Sequence, residues 1–220
     1  MNSHPVHTIS PYSRMPVPKF IFVRHGEAQH NVAAHGPEGD AAYTNQAYKD
    51  APLTEKGIAQ ARETGEALSA YKIIDIWSSP LTRCIQTSLE LFEETSAQSL
   101  YLHDSLLEIL GGGHVCNYRK TKQELKTLYP LCSMKNLPDY PPMWCARENE
   151  NSVMNRMMSL CLLLAELYKN SPENSYLVLT SHWGAIHALT DKALNNAEYV
   201  IISLDEIFQR NKRHNLCHLH

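Results

Sequence analysis

Short, continuously apolar runs that alternate with helical patterns constrain the fold of this chain more than any other feature. The clearest runs are Lys19-Phe20-Ile21-Phe22-Val23, Ile73-Ile74-Asp75-Ile76-Trp77 and Tyr176-Leu177-Val178-Leu179-Thr180, with a weaker one at residues 99–102. Such runs are typical of strands that are covered on both faces, as in a parallel sheet. We therefore predict a three-layer α/β fold in which helices cover a mostly parallel central sheet.

Helical patterns fill the gaps between these runs. Thr54 is a candidate N-cap for a helix that continues to Ser69, and Pro80 fits the first turn of a helix through Phe92. Residues 149–169 carry the longest helical pattern, and residues 184–194 carry a shorter one after the last clear strand.

The domain organisation follows from breaks in this alternation. The chain of 220 residues suits one domain, which we predict over residues 19–205. Residues 1–18 contain four prolines and are expected to form a flexible arm, and residues 206–220 a C-terminal tail. Residues 111–148 show little periodicity, so we expect an insertion over the sheet edge that can contact a substrate.

Charge and cysteine usage limit the class of protein. A net charge of −3 leaves no basic field that would attract nucleic acid or an anionic membrane surface. No apolar stretch approaches the roughly 20 residues of a membrane span. The six cysteines form no CxxC pair, which is typical of free thiols in a reducing compartment. We therefore predict the cytoplasm, with the nucleus as a second option; the sequence carries no signal for an oligomeric state.

Polar segments follow three of the predicted strands directly. They are Arg24-His25-Gly26-Glu27, Ser78-Ser79-Pro80-Leu81-Thr82-Arg83 and Ser181-His182-Trp183-Gly184. Ligands of open α/β sheets bind at the carboxyl ends of the strands, near helix N-termini that favour anions. Arginine matches phosphate oxygens with a planar fork, and a neutral imidazole nitrogen can attack phosphorus. The pattern predicts a phosphoryl-transfer site. It contains no P-loop lysine motif, HExxH or carboxylate cluster, so neither a metal nor a cofactor is needed to explain it.

These motifs resemble the histidine phosphatase superfamily, on its branch one, which contains the phosphoglycerate-mutase-like proteins. The resemblance runs over about residues 19–192 and includes the three segments above together with Asn31 and Glu108. Residues 108–120, Trp144 and Arg147-Glu148 look most like the eukaryotic mutase-like phosphatases of broad substrate range. The chain departs from the family pattern at Ala28, where many members carry serine. His30 or Gln29 is the candidate to supply the phosphate contact that this serine would make.

The resemblance implies a role for each matching residue. His25 is expected to be the phosphorylated nucleophile, and Glu108 the general acid that later activates water. Around the phosphate we expect Arg24, Arg83, His182 and Asn31. Further candidates for binding phosphate or substrate are His30, His114, Arg119 and Trp183. The implied function is hydrolysis of a small phosphomonoester, with no cofactor.

Alternatives remain at this stage for the function and for single residues. A phosphoglycerate-mutase-type phosphotransferase uses the same first half-reaction, and a non-catalytic phospho-ligand binder keeps the same pocket. Glu27 or Glu148 is an alternative acid to Glu108. Arg83 could instead pair with Glu90 on a helix surface, and residues 114–120 could form a solvated loop face. Arg119, Lys120 and Arg147 suggest a second anionic group on the substrate.

Overall fold

The computed structural model describes residues 17–142 and 147–217, without the side chains of residues 212–217. The strands are β1 (Lys19–Arg24), β2 (Lys72–Ser78), β3 (Leu100–Leu102), β4 (Ser175–Ser181) and β5 (Tyr199–Ile202). The helices are α1 (Gln29–His35), α2 (Glu55–Leu68), α3 (Thr82–Glu94), α4 (Lys122–Leu128), α5 (Glu150–Leu167), α6 (Trp183–Thr190) and α7 (Leu204–Cys217).

The strands form one sheet in the order β3-β2-β4-β1-β5. The pairs β3-β2, β2-β4 and β4-β1 are parallel, and β5 is antiparallel to β1. The predicted α/β fold with a mostly parallel sheet is therefore confirmed. Strand β5 was not predicted, because it has only four residues, lies at an edge and is mostly half-buried.

Helices cover both faces of the sheet, which explains the continuously apolar strands. Phe20 and Phe22 of β1 pack in one core cluster with residues of α5 and α6. Ile21 and Val23, which point the other way, pack in a second cluster with residues of α2 and α3. Alternate residues of one strand thus enter different cores.

Two helix starts decide where site residues lie. The Thr54 side chain accepts a hydrogen bond from the Gly57 N–H, which confirms it as the N-cap of α2. Helix α3 begins at Thr82, so the prediction of a first turn at Pro80 is wrong. The reason is a distant cap: the Asp50 carboxylate accepts from the Thr82 N–H at 2.7 Å and from its hydroxyl at 2.8 Å.

Part of the segment 111–142 pairs with β3, an edge strand of the sheet. Ser133 accepts a hydrogen bond from the Leu102 N–H and donates one to the Leu100 carbonyl. Leu125 of α4 and Leu137 are buried in the second core cluster. The segment therefore belongs to the same hydrophobic core as the sheet.

The predicted domain limits shift at both ends. Val17 packs against the first core cluster and Pro18 is buried, and residues 1–16 of the predicted arm lie outside the described residues. Helix α7 begins at Leu204 and its Ile207 is in the core, so packed structure continues into the predicted C-terminal tail. Residues 218–220 are not described. Within the described chain, no helix has the length and apolarity needed to cross a membrane.

Candidate active site

His25 follows β1 and its ring has a defined protonation pattern. The Nε of Arg83 donates to His25 Nε2 at 3.2 Å, and an arginine nitrogen can only donate. His25 Nε2 is therefore the unprotonated nitrogen, and Nδ1 donates to the Gly26 carbonyl at 2.7 Å. The nitrogen with the free electron pair thus faces the arginine side of the site.

Close backbone packing holds the turn after His25. A Cβ atom on Gly26 would clash with the Gly57 carbonyl of α2, and a Cβ on Gly57 would clash with the Glu27 carbonyl. The Gly26 N–H also donates to the Thr87 hydroxyl of α3 at 3.0 Å. Two glycines therefore let the His25 turn lie directly on the first turn of α2.

Arg83, in the first turn of α3, is 1% exposed and connects the two histidines. Besides His25, it contacts His182 Nδ1 at 3.2 Å and donates to the Cys116 carbonyl at 2.8 Å and to Asn117 Oδ1 at 3.0 Å. No carboxylate of the described residues pairs with Arg83, and Glu90 pairs instead with Arg62. A buried guanidinium bonded only to neutral groups is suited to receive an anion.

His182 is fully buried behind His25, with the two ring centroids 5.1 Å apart. Its Nδ1 accepts from Arg83, so its Nε2 carries the proton and donates to the Ser79 hydroxyl at 2.8 Å. The Cys84 sulfur lies 3.4 Å from the same Nε2. His182 thus orients Arg83.

Burial keeps these histidines neutral. It lowers the pKa of His25 and of His182 well below the usual value, and the charge of Arg83 lowers both further. The pKa of His30 falls to about 2, again chiefly through burial. A neutral His25 is the form that can act as a nucleophile.

A cavity of about 420 Å³ opens at this end of the sheet. The predicted site residues that line it are Arg24, His25, His30, Asn31, Arg83, Glu108, His114 and Trp183. Further lining residues, which were not predicted from the sequence, are His35, Tyr43, Ile109, Cys116 and Asn117. Tyr43 comes from a separate loop, and no sequence signal placed it beside His114, on which its ring stacks at 5.3 Å.

Two polar atoms of lining residues are buried without a hydrogen-bond partner among the described residues. They are Arg24 Nε and His30 Nδ1. Arg24 donates through Nη1 to the Leu194 carbonyl at 2.8 Å, which fixes the side chain. Ala28 is buried and does not line the cavity, whereas His30 does.

Glu108 lies where the loop after β3 meets the N-terminus of α6. Its carboxylate accepts hydrogen bonds from the N–H groups of Ile109, Gly184 and Ala185 at 2.9, 3.1 and 3.0 Å. Neither alternative acid lines the cavity. Glu27 pairs with Lys56 at 2.9 Å, and Glu148 is buried against Arg156 at 2.8 Å.

Arg119 lies elsewhere than the sequence analysis predicted. Its side chain is fully buried and bonds both oxygens of Asp104, at 2.7 and 3.0 Å, with further bonds to three carbonyl oxygens. Lys120 is paired with Asp50 at 2.7 Å. Both cations therefore brace the insertion, and Arg119 does not reach the cavity as predicted, because its side chain is buried against Asp104 and is not among the lining residues. Arg147 does line the cavity, and Trp144 lies outside the described residues.

The fold and the site together define a class. A buried neutral histidine, two arginines and a carboxylate meet at the carboxyl end of a mostly parallel sheet, which is an arrangement for phosphoryl transfer. The sequence profile of the histidine phosphatase superfamily (branch 1) matches residues 20–204. The chain belongs to this superfamily.

Solved structures share the fold at low sequence identity. A mycobacterial glucosyl-3-phosphoglycerate phosphatase, in complex with VO3, has a TM-score of 0.58 at 21% identity, with 84% of this chain and 91% of that one covered. The ecdysone phosphate phosphatase of Bombix mori, in complex with tungstate, has a TM-score of 0.62 at 16% identity, with 84% and 92% covered. YhfR of Bacillus stearothermophilus has a TM-score of 0.56 at 18% identity, with 84% and 91% covered. No curated protein sequence matches this chain significantly.

Proposed function

We propose that this protein is a phosphatase that hydrolyses a small phosphomonoester through a phosphohistidine on His25. The observation that carries the proposal is the set of contacts of Arg83. It is a buried guanidinium that pairs with no carboxylate in the part of the chain that the structure describes, and it contacts both histidines at the edge of the cavity. Superfamily membership and the phosphatases among the structural relatives support the reaction class.

The first half-reaction transfers the phosphoryl group to the enzyme. The electron pair of His25 Nε2 attacks phosphorus, and the bond from phosphorus to the ester oxygen breaks. Glu108 enters this step as a neutral carboxyl, with a proton on one oxygen, and gives that proton to the ester oxygen. Arg83 moves its Nε–H from the imidazole to a phosphoryl oxygen, and Arg24 Nε–H offers a second donor. The Gly26 carbonyl keeps its bond to Nδ1 and stabilises the positive charge that develops on the ring.

The second half-reaction releases phosphate. Glu108, now a carboxylate, takes a proton from a water molecule whose oxygen attacks phosphorus, and the bond to His25 Nε2 breaks. Phosphate leaves, the imidazole returns to its neutral state, and Glu108 is protonated again. The cycle needs only water as a co-substrate.

The distribution of cations suggests the substrate class. Arg24 and Arg83 at the base of the cavity balance the two negative charges of a phosphoryl group. Arg147 lines the same cavity and is exposed, and its Cδ lies 3.7 Å from where a Cβ of Gly112 would be. We extend the proposal to esters whose alcohol carries a second anionic group, which Arg147 would contact at the cavity mouth.

The experiment that tests the reaction is phosphate release from a panel of phosphate esters with EDTA present, comparing wild type with His25→Ala. Turnover in the wild type that is lost in His25→Ala supports the proposal. Slow release of phosphate, together with priming by 2,3-bisphosphoglycerate, would favour a mutase. Binding of esters without any turnover would contradict the proposal and favour a binding protein.

A further inference from the structure

A buried ion pair lies behind the loop that carries Glu108. Arg156 of α5 donates from Nε to one oxygen of Glu148 at 2.8 Å and from Nη2 to the other at 2.9 Å. The Glu148 side chain is 1% exposed and that of Arg156 is 16% exposed. The two planar groups therefore form a bidentate pair that water reaches poorly.

The same two residues fix the backbone on both sides of Glu108. Arg156 Nη1 donates to the Ser105 carbonyl at 2.7 Å, and Nη2 donates to the Glu108 carbonyl at 3.1 Å. Glu148 donates its N–H to the Leu110 carbonyl at 2.8 Å and accepts from the Leu110 N–H at 3.3 Å. The loop from 105 to 110 is thus bonded to this pair at three residues.

We infer that Arg156 is a positioning residue for proton transfer by Glu108. Neither Arg156 nor Glu148 lines the cavity, so both act through the loop and not on the substrate. The inference rests on the proposed function, because the position of Glu108 matters to the rate only if Glu108 protonates the leaving oxygen. Under this inference, α5 helps to position the site through Arg156.

The chemistry of arginine explains why even a lysine at position 156 is expected to disturb the loop that carries Glu108. One planar guanidinium serves both Glu148 oxygens and two carbonyl oxygens at fixed angles, whereas a lysine ammonium is a point charge with three donors. Arg156→Lys keeps a positive charge beside Glu148, so it avoids the unpaired buried carboxylate that Arg156→Ala would leave. We expect Arg156→Lys to fold, with fewer hydrogen bonds to the loop that carries Glu108.

The test compares two esters that differ in their need for an acid. The leaving group of 4-nitrophenyl phosphate departs with little protonation, whereas the alkoxide of benzyl phosphate requires it. We expect Arg156→Lys to lower kcat/KM for benzyl phosphate about 10-fold more than for 4-nitrophenyl phosphate, which is a part of the 10²–10⁴-fold that a positioned acid contributes. Glu108→Gln is expected to show the same selectivity to a larger degree.

Arg119→Lys is the matched control. Arg119 also forms a buried bidentate pair, with Asp104 next to the same loop, but its side-chain hydrogen bonds go to Asp104, Lys120, Pro138 and Tyr140 and not to residues 105–110. It is expected to change kcat/KM for both esters in equal proportion. Circular dichroism and thermal melting check that each variant is folded.

The outcomes separate the inference from the function it rests on. If Glu108→Gln is selective against benzyl phosphate and Arg156→Lys changes both esters alike, or changes neither, the positioning role is overturned and the proposed function stands. If Glu108→Gln itself shows no selectivity, Glu108 is not the acid, and the proposed mechanism falls together with the inference.

Discussion

At the residue scale, Arg83 determines the state of the histidines around it. Its donors reach His25 and His182, and each contact places the free electron pair of a ring on the side of the guanidinium. No carboxylate in the described ranges of the chain pairs with Arg83, and burying a cation without a counter-charge is costly, so an oxyanion bound beside Arg83 would lower that cost. The proposed nucleophile is therefore oriented by the side chain that is also proposed to bind the phosphate.

The proposal that the substrate carries a second anionic group depends on one residue, Arg147. We expect Arg147→Ala to lower kcat/KM for 4-carboxyphenyl phosphate about 5-fold, since an exposed ion pair contributes up to about 1 kcal/mol. For phenyl phosphate, which lacks the second charge, we expect less than a 2-fold change. Steady-state kinetics on both esters measure the difference.

The control for this substitution is Arg62→Ala, which removes an exposed arginine that pairs with Glu90 away from the cavity. It changes the net charge equally and is expected to leave the ratio of the two esters unchanged. An equal loss on both esters in Arg147→Ala would contradict the second anionic group.

Single residues also show how far the sequence could predict the site. The convergence of Arg24, His25, Arg83 and His182 was predictable, because each lies at the end of a strand, directly after one, or in the first turn of the helix that follows one. Arg119 was not, because its acid partner Asp104 is 15 residues away in the sequence and nothing local indicates the pair.

At the element scale, apolar runs and caps predicted the sheet and most of the helices. The helix limits that differ from the prediction depend on tertiary contacts. Helix α3 begins at Thr82 because Asp50, in a loop before α2, caps it. Helix α7 continues into the polar C-terminal segment because Ile207 reaches the core. Asp50 is far from Thr82 in the sequence, and Ile207 packs against segments that are distant from α7. The local periodicity of the sequence therefore could not show either contact.

The start of α6 yields a prediction about Glu108. A Cβ atom on Gly184 would lie 2.7 Å from Glu108 Oε1 and 2.9 Å from Ile109 Cδ1, and both are ends of flexible side chains. We expect Gly184→Ala to displace the carboxylate and lower kcat/KM for benzyl phosphate at least about 10-fold. Stability is expected to change little, because alanine gains up to about 1 kcal/mol of helix propensity.

Gly65→Ala serves as the control for this glycine. It adds the same methyl group to α2, where the Cβ would lie 2.9 Å from Glu94 Cβ and 3.3 Å from the Glu90 carbonyl oxygen of α3. It therefore strains helix packing as Gly184→Ala does, but none of these contacts is with a cavity residue. The expected result is unchanged kcat/KM. Full activity of Gly184→Ala on benzyl phosphate would show that the observed position of Glu108 is not required.

At the scale of the whole molecule, the sheet brings together residues from positions 24 to 184. The cost of this convergence is a cluster of buried, neutral histidines. His25, His30 and His182 are 3%, 4% and 0% exposed, and the pKa of each is lowered in the folded state. The unfolded chain therefore binds more protons than the folded protein below the usual histidine pKa of about 6.5.

The stability of the protein is accordingly expected to fall as the pH falls. Each histidine contributes a loss of about 1.4 kcal/mol between pH 7.5 and 5.5, so the three together lower the free energy of unfolding by about 4 kcal/mol. Urea unfolding at these two pH values measures the difference. In His30→Gln the loss is expected to shrink by about 1.4 kcal/mol. An unchanged free energy of unfolding would mean that the folded protein holds these protons.

The central claim is that His25 carries the phosphoryl group during turnover. The most direct measurement is to quench the enzyme within milliseconds of mixing it with 4-nitrophenyl [³²P]phosphate and to locate the label by mass spectrometry. We predict an acid-labile, alkali-stable label on His25 in the wild type, more of it in Glu108→Gln, which activates water poorly, and none in His25→Asn. Turnover without a labelled enzyme, or a label on another residue such as His182, would contradict the account.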